Sequence, residues 1–198
     1  MSRWNDVAVQ GVGTSMFGKQ PEISGPELVR TAVFEALDDA GRPEIDAVFA
    51  GTVFGAPGTI QRALQTCGIT EVPIITIENA CASGTSAFHE ACRAVDSGQF
   101  EHVLAVGVET MTLHFGGAIH PEETDSEGRQ GMAMPTIYAM SANRYMHEYG
   151  VTAGQLASVS VKNHRHAVGN DRAQHQTVVD VEEVLASRMI ADPLTLLQ

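Results

Sequence analysis

Cys81 lies where an apolar run, Ile74-Ile75-Thr76-Ile77, passes through Glu78-Asn79-Ala80 into very small residues, Ala82-Ser83-Gly84-Thr85-Ser86-Ala87. That pattern is a strand running into a helix, and it places the thiol at the helix's N-terminal end. Unpaired N–H groups and the macrodipole at that end favour negative charge, and the thiolate is the nucleophilic form of cysteine. The competing reading is a small buried hydrophobe, which is the expectation for Cys67 and Cys92. Cys67 is expected to cap or pack a short helix, and Cys92 to pack within the small-residue helix.

The other combinations that could do chemistry fail on spacing. His89-Glu90-Ala91-Cys92-Arg93 begins like a zinc-binding helix but has Arg93 where the second histidine must stand. His147-Glu148 fails in the same way, with Val151 at that place. His164 and His166 are two residues apart and diverge on a helix. No metal site is expected. Gly11-Val12-Gly13 hints at a dinucleotide fingerprint, but Met16 occupies the third glycine position, and Pro21 and Gly25-Pro26 delay any helix.

The elements that must hold Cys81 read as follows. Val7–Val12 is a first strand. Ser24 caps a helix, with Glu27 completing a capping box, and Gly41 ends it. A second strand covers Ala47–Phe54, a short helix Ile60–Cys67, and a third strand Val72–Glu78. The Cys81 helix then runs to about Gly98, and Val103–Val108 is a fourth strand. This β-α-β-α-β-α-β order implies an α/β fold with a mostly parallel sheet and right-handed crossovers. With little side-chain bulk on most sides, the Cys81 helix is expected to lie between two layers, of which one sheet supplies only one.

Two domains are expected, residues 1–112 as the core half and 113–198 as a mainly helical loop segment. In the second, Leu113–Arg129 reads as a loop excursion and Thr136–Tyr149 as a helix. Thr152 and Gln155 form another capping box, with Val151 and Leu156 as a hydrophobic staple, for a helix to about His166. A short helix follows at Val181–Ser187. Leu194, Leu196 and Leu197 read as the approach to further structure.

Composition sets outer limits. The chain has 198 residues, a formal charge of −12 and an apolar share of 43%, enough for a buried core. The acidic balance argues against nucleic acid and against an anionic membrane surface as partners. The best local basic patch is Lys162-Asn163-His164-Arg165-His166. Met1–Asp6 has no apolar core of a signal peptide, and three cysteines make no disulfide framework. A cytoplasmic protein with reduced thiols is therefore expected.

Glu78-Asn79-Ala80-Cys81-Ala82-Ser83-Gly84, with Ala87 and Val106-Gly107-Val108-Glu109-Thr110-Met111, resembles the nucleophile region of the thiolase superfamily. Tyr145–Gly150, Ser160–His164 and Ser187–Leu194 resemble its sterol-carrier and archaeal branch. The resemblance implies that Cys81 accepts an acyl group from acyl-CoA as a thioester, its backbone N–H being a candidate oxyanion donor. Met140, in Tyr138-Ala139-Met140-Ser141, matches a methionine that lines the pantetheine tunnel in biosynthetic members. A histidine commonly precedes it, and here Ala139 does. The other reading of Met140 is a core methionine of an amphipathic helix.

Family members are about twice this length and carry a second copy of the fold, with a Gly-His-Pro histidine, a loop Asn or His and a second cysteine. None of these has a match here. The chain thus resembles the N-terminal half without its final strand, and the general base must come from elsewhere. Substrates implied are CoA thioesters, with no permanently bound cofactor. Implied partners are a second copy in a homodimer, with Ile74–Ile77 near the two-fold, and a companion carrying the C-terminal half. Alternatives are a thiolase-fold aldolase subunit on CoA thioesters, working with a small OB-fold partner, and a non-catalytic acyl-CoA binding module.

Overall fold

The computed structural model describes residues 7–116 and 124–198. Met1–Asp6 and part of the expected loop excursion at Leu113–Arg129 lie outside the described residues. The chain divides into two compact units. One holds the described residues up to Ser15 together with Lys19–His114, the other Met16–Gly18 and Phe115–Gln198.

The first unit has three layers. Its sheet contains β1 (Ala47–Gly51), β2 (Ile74–Ile77) and β3 (Val103–Gly107). The strands lie in the order β2-β1-β3, all parallel, with Val48 opposite Ile74 and Leu104. The period of two sorts their side chains. Val48, Ala50, Leu104 and Val106 face helices α1 (Gly25–Asp39) and α2 (Thr59–Thr66), where Val29, Val33, Leu37, Ile60, Ala63 and Leu64 complete one apolar cluster. Ala47, Phe49, Val103 and Ala105 face the opposite way, toward Ala87, Ala91 and Ala94 of α3 (Ser83–Asp96). Cys67 stands at the C-cap of α2, half-buried against the first cluster. A short helix, α4 (Met111–His114), follows β3.

Local signals act as expected at α1. The Ser24 hydroxyl accepts from Glu27 N–H, and the Glu27 carboxylate accepts from Ser24 N–H at 2.9 Å. Gly41, at φ 76°, carries the chain out of the helix in the left-handed region.

Val7–Val12 corrects the expectation of a first strand. No ladder forms there; Val9 and Val12 are exposed, and the segment lies along α1 instead. Val12 N–H donates to Asp39 Oδ2 and Thr14 N–H to Glu35 Oε2, both at 2.9 Å. A Cβ on Gly11 would fall 2.3 Å from the Ala36 carbonyl oxygen, and one on Gly13 2.1 Å from that of Ala32. The glycine pair that hints at a nucleotide loop is therefore explained by close approach to a helix. An apolar alternation specifies a strand only where a neighbouring strand accepts its ladder, and here the Val12 and Thr14 N–H groups turn to carboxylates of α1 instead.

The second unit is mainly helical. It holds α5 (Met134–Tyr149), α6 (Ala153–Ala167), α7 (Val181–Ala186) and a small antiparallel pair, β4 (Met189–Ala191) and β5 (Leu194–Thr195). Thr152 and Gln155 close the expected capping box on α6. Asp180 and Glu183 close a further one on α7, which the sequence reading overlooked. The buried Thr195 donates to the Val184 carbonyl at 2.7 Å, tying β5 to α7. Of the three leucines at this end, Leu194 lies in β5 and Leu196 is exposed.

Candidate active site

Gly51 lets α3 come down onto the carboxyl edge of the sheet. A Cβ on Gly51, the last residue of β1, would lie 2.5 Å from the Ser83 carbonyl carbon and 2.6 Å from Gly84 N. A Cβ on Gly107, the last residue of β3, would lie 3.7 Å from Gly84 Cα. Ser83, Ala87, Ala91 and Ala94 are the buried stripe of α3. The helix is buried on that side alone; Gly84, Thr85, Phe88 and His89 are exposed. The second covering layer expected around this helix is not supplied among the described residues.

The turn joining β2 to α3 is tightly hydrogen-bonded. Asn79 N–H donates to Ser83 Oγ at 2.8 Å, and the Ser83 hydroxyl donates to the Ala80 carbonyl at 2.7 Å. Ala80 N–H donates to Glu78 Oε1 at 2.7 Å, and the Asn79 amide donates to Ser86 Oγ at 2.8 Å. Ala82 and Ser83 N–H donate to the Asn79 and Ala80 carbonyls. Ala80 takes φ 44°, a left-handed conformation unusual for a residue with a side chain. Local strain held by a dense hydrogen-bond network marks a turn whose shape matters. Its outcome is an exposed Cys81 thiol, one residue ahead of the α3 N-cap Ala82.

A feature missed from sequence lies at the same edge of the sheet. The Glu109 carboxylate, just beyond β3, accepts Val53 N–H on Oε2 at 2.8 Å and Phe54 N–H on Oε1 at 3.1 Å. It thereby fastens the loop leaving β1. The only sequence signal was the Glu109-Thr110-Met111 stretch in the resemblance.

Cys67 differs from Cys81. Burial pushes its thiol pKa up, which disfavours the thiolate. Cys92 is half-buried in α3. Among the described residues no three His, Cys, Asp or Glu side chains gather as a metal site would require.

Met140 belongs to the second unit. It is half exposed on α5, beside the buried Ala139. With Ser141, Arg144, Tyr145 and Glu148 it lines an open cavity of about 470 Å³. Cys81 and Met140 thus fall in different units.

Residues 8–198 match the family described as Thiolase, N-terminal domain. The chain belongs to the thiolase family. It is 38% identical over 206 residues to an acetyl-CoA acetyltransferase of Methanothermobacter thermautotrophicus, covering 97% of this chain and 53% of that protein. It is also 38% identical over 198 residues to the benzoylsuccinyl-CoA thiolase subunit BbsB of Thauera aromatica, covering 97% of this chain and 51% of that protein. Among solved structures, the Ltp2-ChsH2(DUF35) aldolase superposes with a TM-score of 0.76 at 27% identity, over 96% of this chain and 51% of that one. The chain therefore spans about half the length of the relatives it matches. As a thiolase N-terminal domain it has the α/β fold read from its sequence, with three strands in the parallel sheet among the described residues where four were expected.

Proposed function

We propose that this chain is the acyl-accepting half of a thiolase-type acyltransferase acting on CoA thioesters, with Cys81 as the nucleophile. The observation that carries the reading is the exposed thiol on a strained, hydrogen-bonded turn at the carboxyl edge of the sheet. In the step assigned to it, Cys81 Sγ attacks the thioester carbonyl. The bond to Cys81 forms, the bond to the CoA sulfur breaks, and the thiol proton ends on free CoA. Thiolysis or condensation then needs a general base from a companion carrying the C-terminal half. Met140, in its cavity on α5, is the proposed contact for the pantetheine arm, and no permanently bound cofactor is required. A cytoplasmic homodimer, with β2 near the two-fold, completes the reading.

Exposure of the full chain to acetyl-CoA tests this through intact mass and peptide mapping. The wild type should gain one acetyl group on Cys81, and Cys81→Ala none. Equal acetylation of the two proteins refutes the assignment.

A second reading is favoured by the likeness to the Ltp2-ChsH2(DUF35) aldolase. There the chain is one subunit of an aldolase on CoA thioesters, working with a small OB-fold partner. With companions restored, Cys81→Ala separates the two. Thiolysis disappears in the first case, and retro-aldol cleavage survives in the second.

A further inference from the structure

We propose that Glu109 is a positioning residue for acyl acceptance at Cys81; the proposal rests on the acyl-acceptor reading of that thiol. Glu109 makes no hydrogen bond to the Cys81 turn. It acts through the loop leaving β1, which touches that turn at two points.

The first point is a hydrogen bond: Thr52 N–H donates to the Ile77 carbonyl, the last residue of β2, at 3.3 Å. The second is the backbone contact of Gly51 with Ser83 and Gly84. Ile77 lies four positions before Cys81, and Ser83 two positions after it. What happens to residues 51–54 therefore bears on both ends of the nucleophile turn. The loop is held in turn by Glu109. Its two oxygens accept separate amides, Val53 on Oε2 and Phe54 on Oε1, while the Thr52 hydroxyl lies 3.5 Å from Oε1 and accepts Gly55 N–H at 3.1 Å.

Two convergent donors on two different oxygens require a carboxylate. A carboxamide of the same shape offers one acceptor and turns an N–H against the other amide. Glu109→Gln thus removes one hydrogen bond and creates a donor–donor conflict with almost no change of volume. A glutamate there could merely stabilise the loop; the link to Ile77 and Ser83 predicts an effect at the thiol as well.

The experiment uses the full chain as wild type, Glu109→Gln and Glu109→Asp. Amide hydrogen exchange is followed at Val53 and Phe54 and at Ala80, Ala82 and Ser83, and Cys81 acetylation by acetyl-CoA is followed by peptide mapping. In Glu109→Gln, exchange at Val53 and Phe54 should quicken by about tenfold, the scale of one charge-assisted hydrogen bond. Exchange at Ala80, Ala82 and Ser83 should quicken with it, and Cys81 acetylation should slow by about tenfold while background labelling of Cys67 and Cys92 stays constant. Glu109→Asp keeps the charge on a shorter arm and should fall between.

Faster exchange confined to Val53 and Phe54, with the turn and Cys81 acetylation unchanged, overturns the proposal. So does loss of the folded core in both variants, because the carboxylate would then hold the fold rather than the site. If wild-type Cys81 takes no acetyl group, the acyl-acceptor reading fails by itself. The turn amides then decide the role of Glu109: faster exchange supports it and unchanged exchange overturns it.

Discussion

Gly51→Ala and Gly84→Ala make the same chemical change on two sides of one contact, and the structure gives them opposite signs. At Gly51 the new Cβ would meet the Ser83 carbonyl carbon at 2.5 Å, and Gly84 N and the Ser83 oxygen at 2.6 Å. Carbon contacts settle near 3.5–4.0 Å, so the helix or the strand must retreat by about 1 Å. All three atoms are backbone, and no rotamer change relieves the clash. Overpacking of this kind costs about 1–3 kcal/mol. At Gly84 no heavy atom lies within 4 Å of the corresponding Cβ, and an alanine within a helix gains about 0.5–1 kcal/mol over glycine. For a chain of this size one kcal/mol moves the melting temperature by about 2–4 °C. Gly51→Ala should therefore lower it by about 2–12 °C, and Gly84→Ala should raise it by about 1–4 °C. Thermal melts by circular dichroism, with urea midpoints as a second measure, read both. A Gly51→Ala protein as stable as wild type would refute the claim that α3 rests directly on β1. A Gly84→Ala protein less stable than wild type would refute the claim that its outward side is open.

Two further outcomes follow from charge and burial. Iodoacetamide at neutral pH should alkylate exposed Cys81 before Cys67, whose raised pKa and partial burial withhold the thiolate; peptide mapping checks the order, and raising the pH should speed Cys67 labelling. Asp46 has its pKa lowered by the His102 and Glu101 N–H groups, which both donate to Oδ2 at 2.9 Å. A lowered folded pKa gives stability that is present above the ordinary carboxylate value, about 4, and is lost as pH falls through the lower folded value. Urea titrations in that acid range should therefore show a shallower loss for Asp46→Asn than for wild type.

The elements legible in the sequence were those whose signals are local. The Ser24–Glu27 and Thr152–Gln155 boxes, the small-residue stripe of α3 and the apolar runs of β1, β2 and β3 each state their own conformation within a few residues. Val7–Val12 has the composition of a strand, and its conformation was set by something the run does not contain: the Ala32 and Ala36 carbonyls against which Gly11 and Gly13 lie. Glu109 was illegible for the same reason. Its carboxylate meets Val53 and Phe54 across 56 and 55 residues of chain, and only the parallel pairing of β1 with β3 brings them together. Cys81 was the most legible candidate residue because strand, turn and helix are contiguous there. The strained φ of Ala80 that fixes the thiol's placement has no signature in composition.

The smallness of α3 has two sources. Ser83, Ala87, Ala91 and Ala94 are small because the sheet lies against them, and Gly51 and Gly107 accept them from below. Gly84 and Thr85 face outward, where no described residue demands small size; an alanine at Gly84 would suit the lone chain better. The first turn of α3, small on a side its own chain leaves open, suits a second close surface. A chain that spans about half the length of its relatives leaves room for that surface to come from the companion the proposed reaction requires. The thiol and the turn that presents it are built by this unit, while the outward face of the same helix supports a base delivered from the other side.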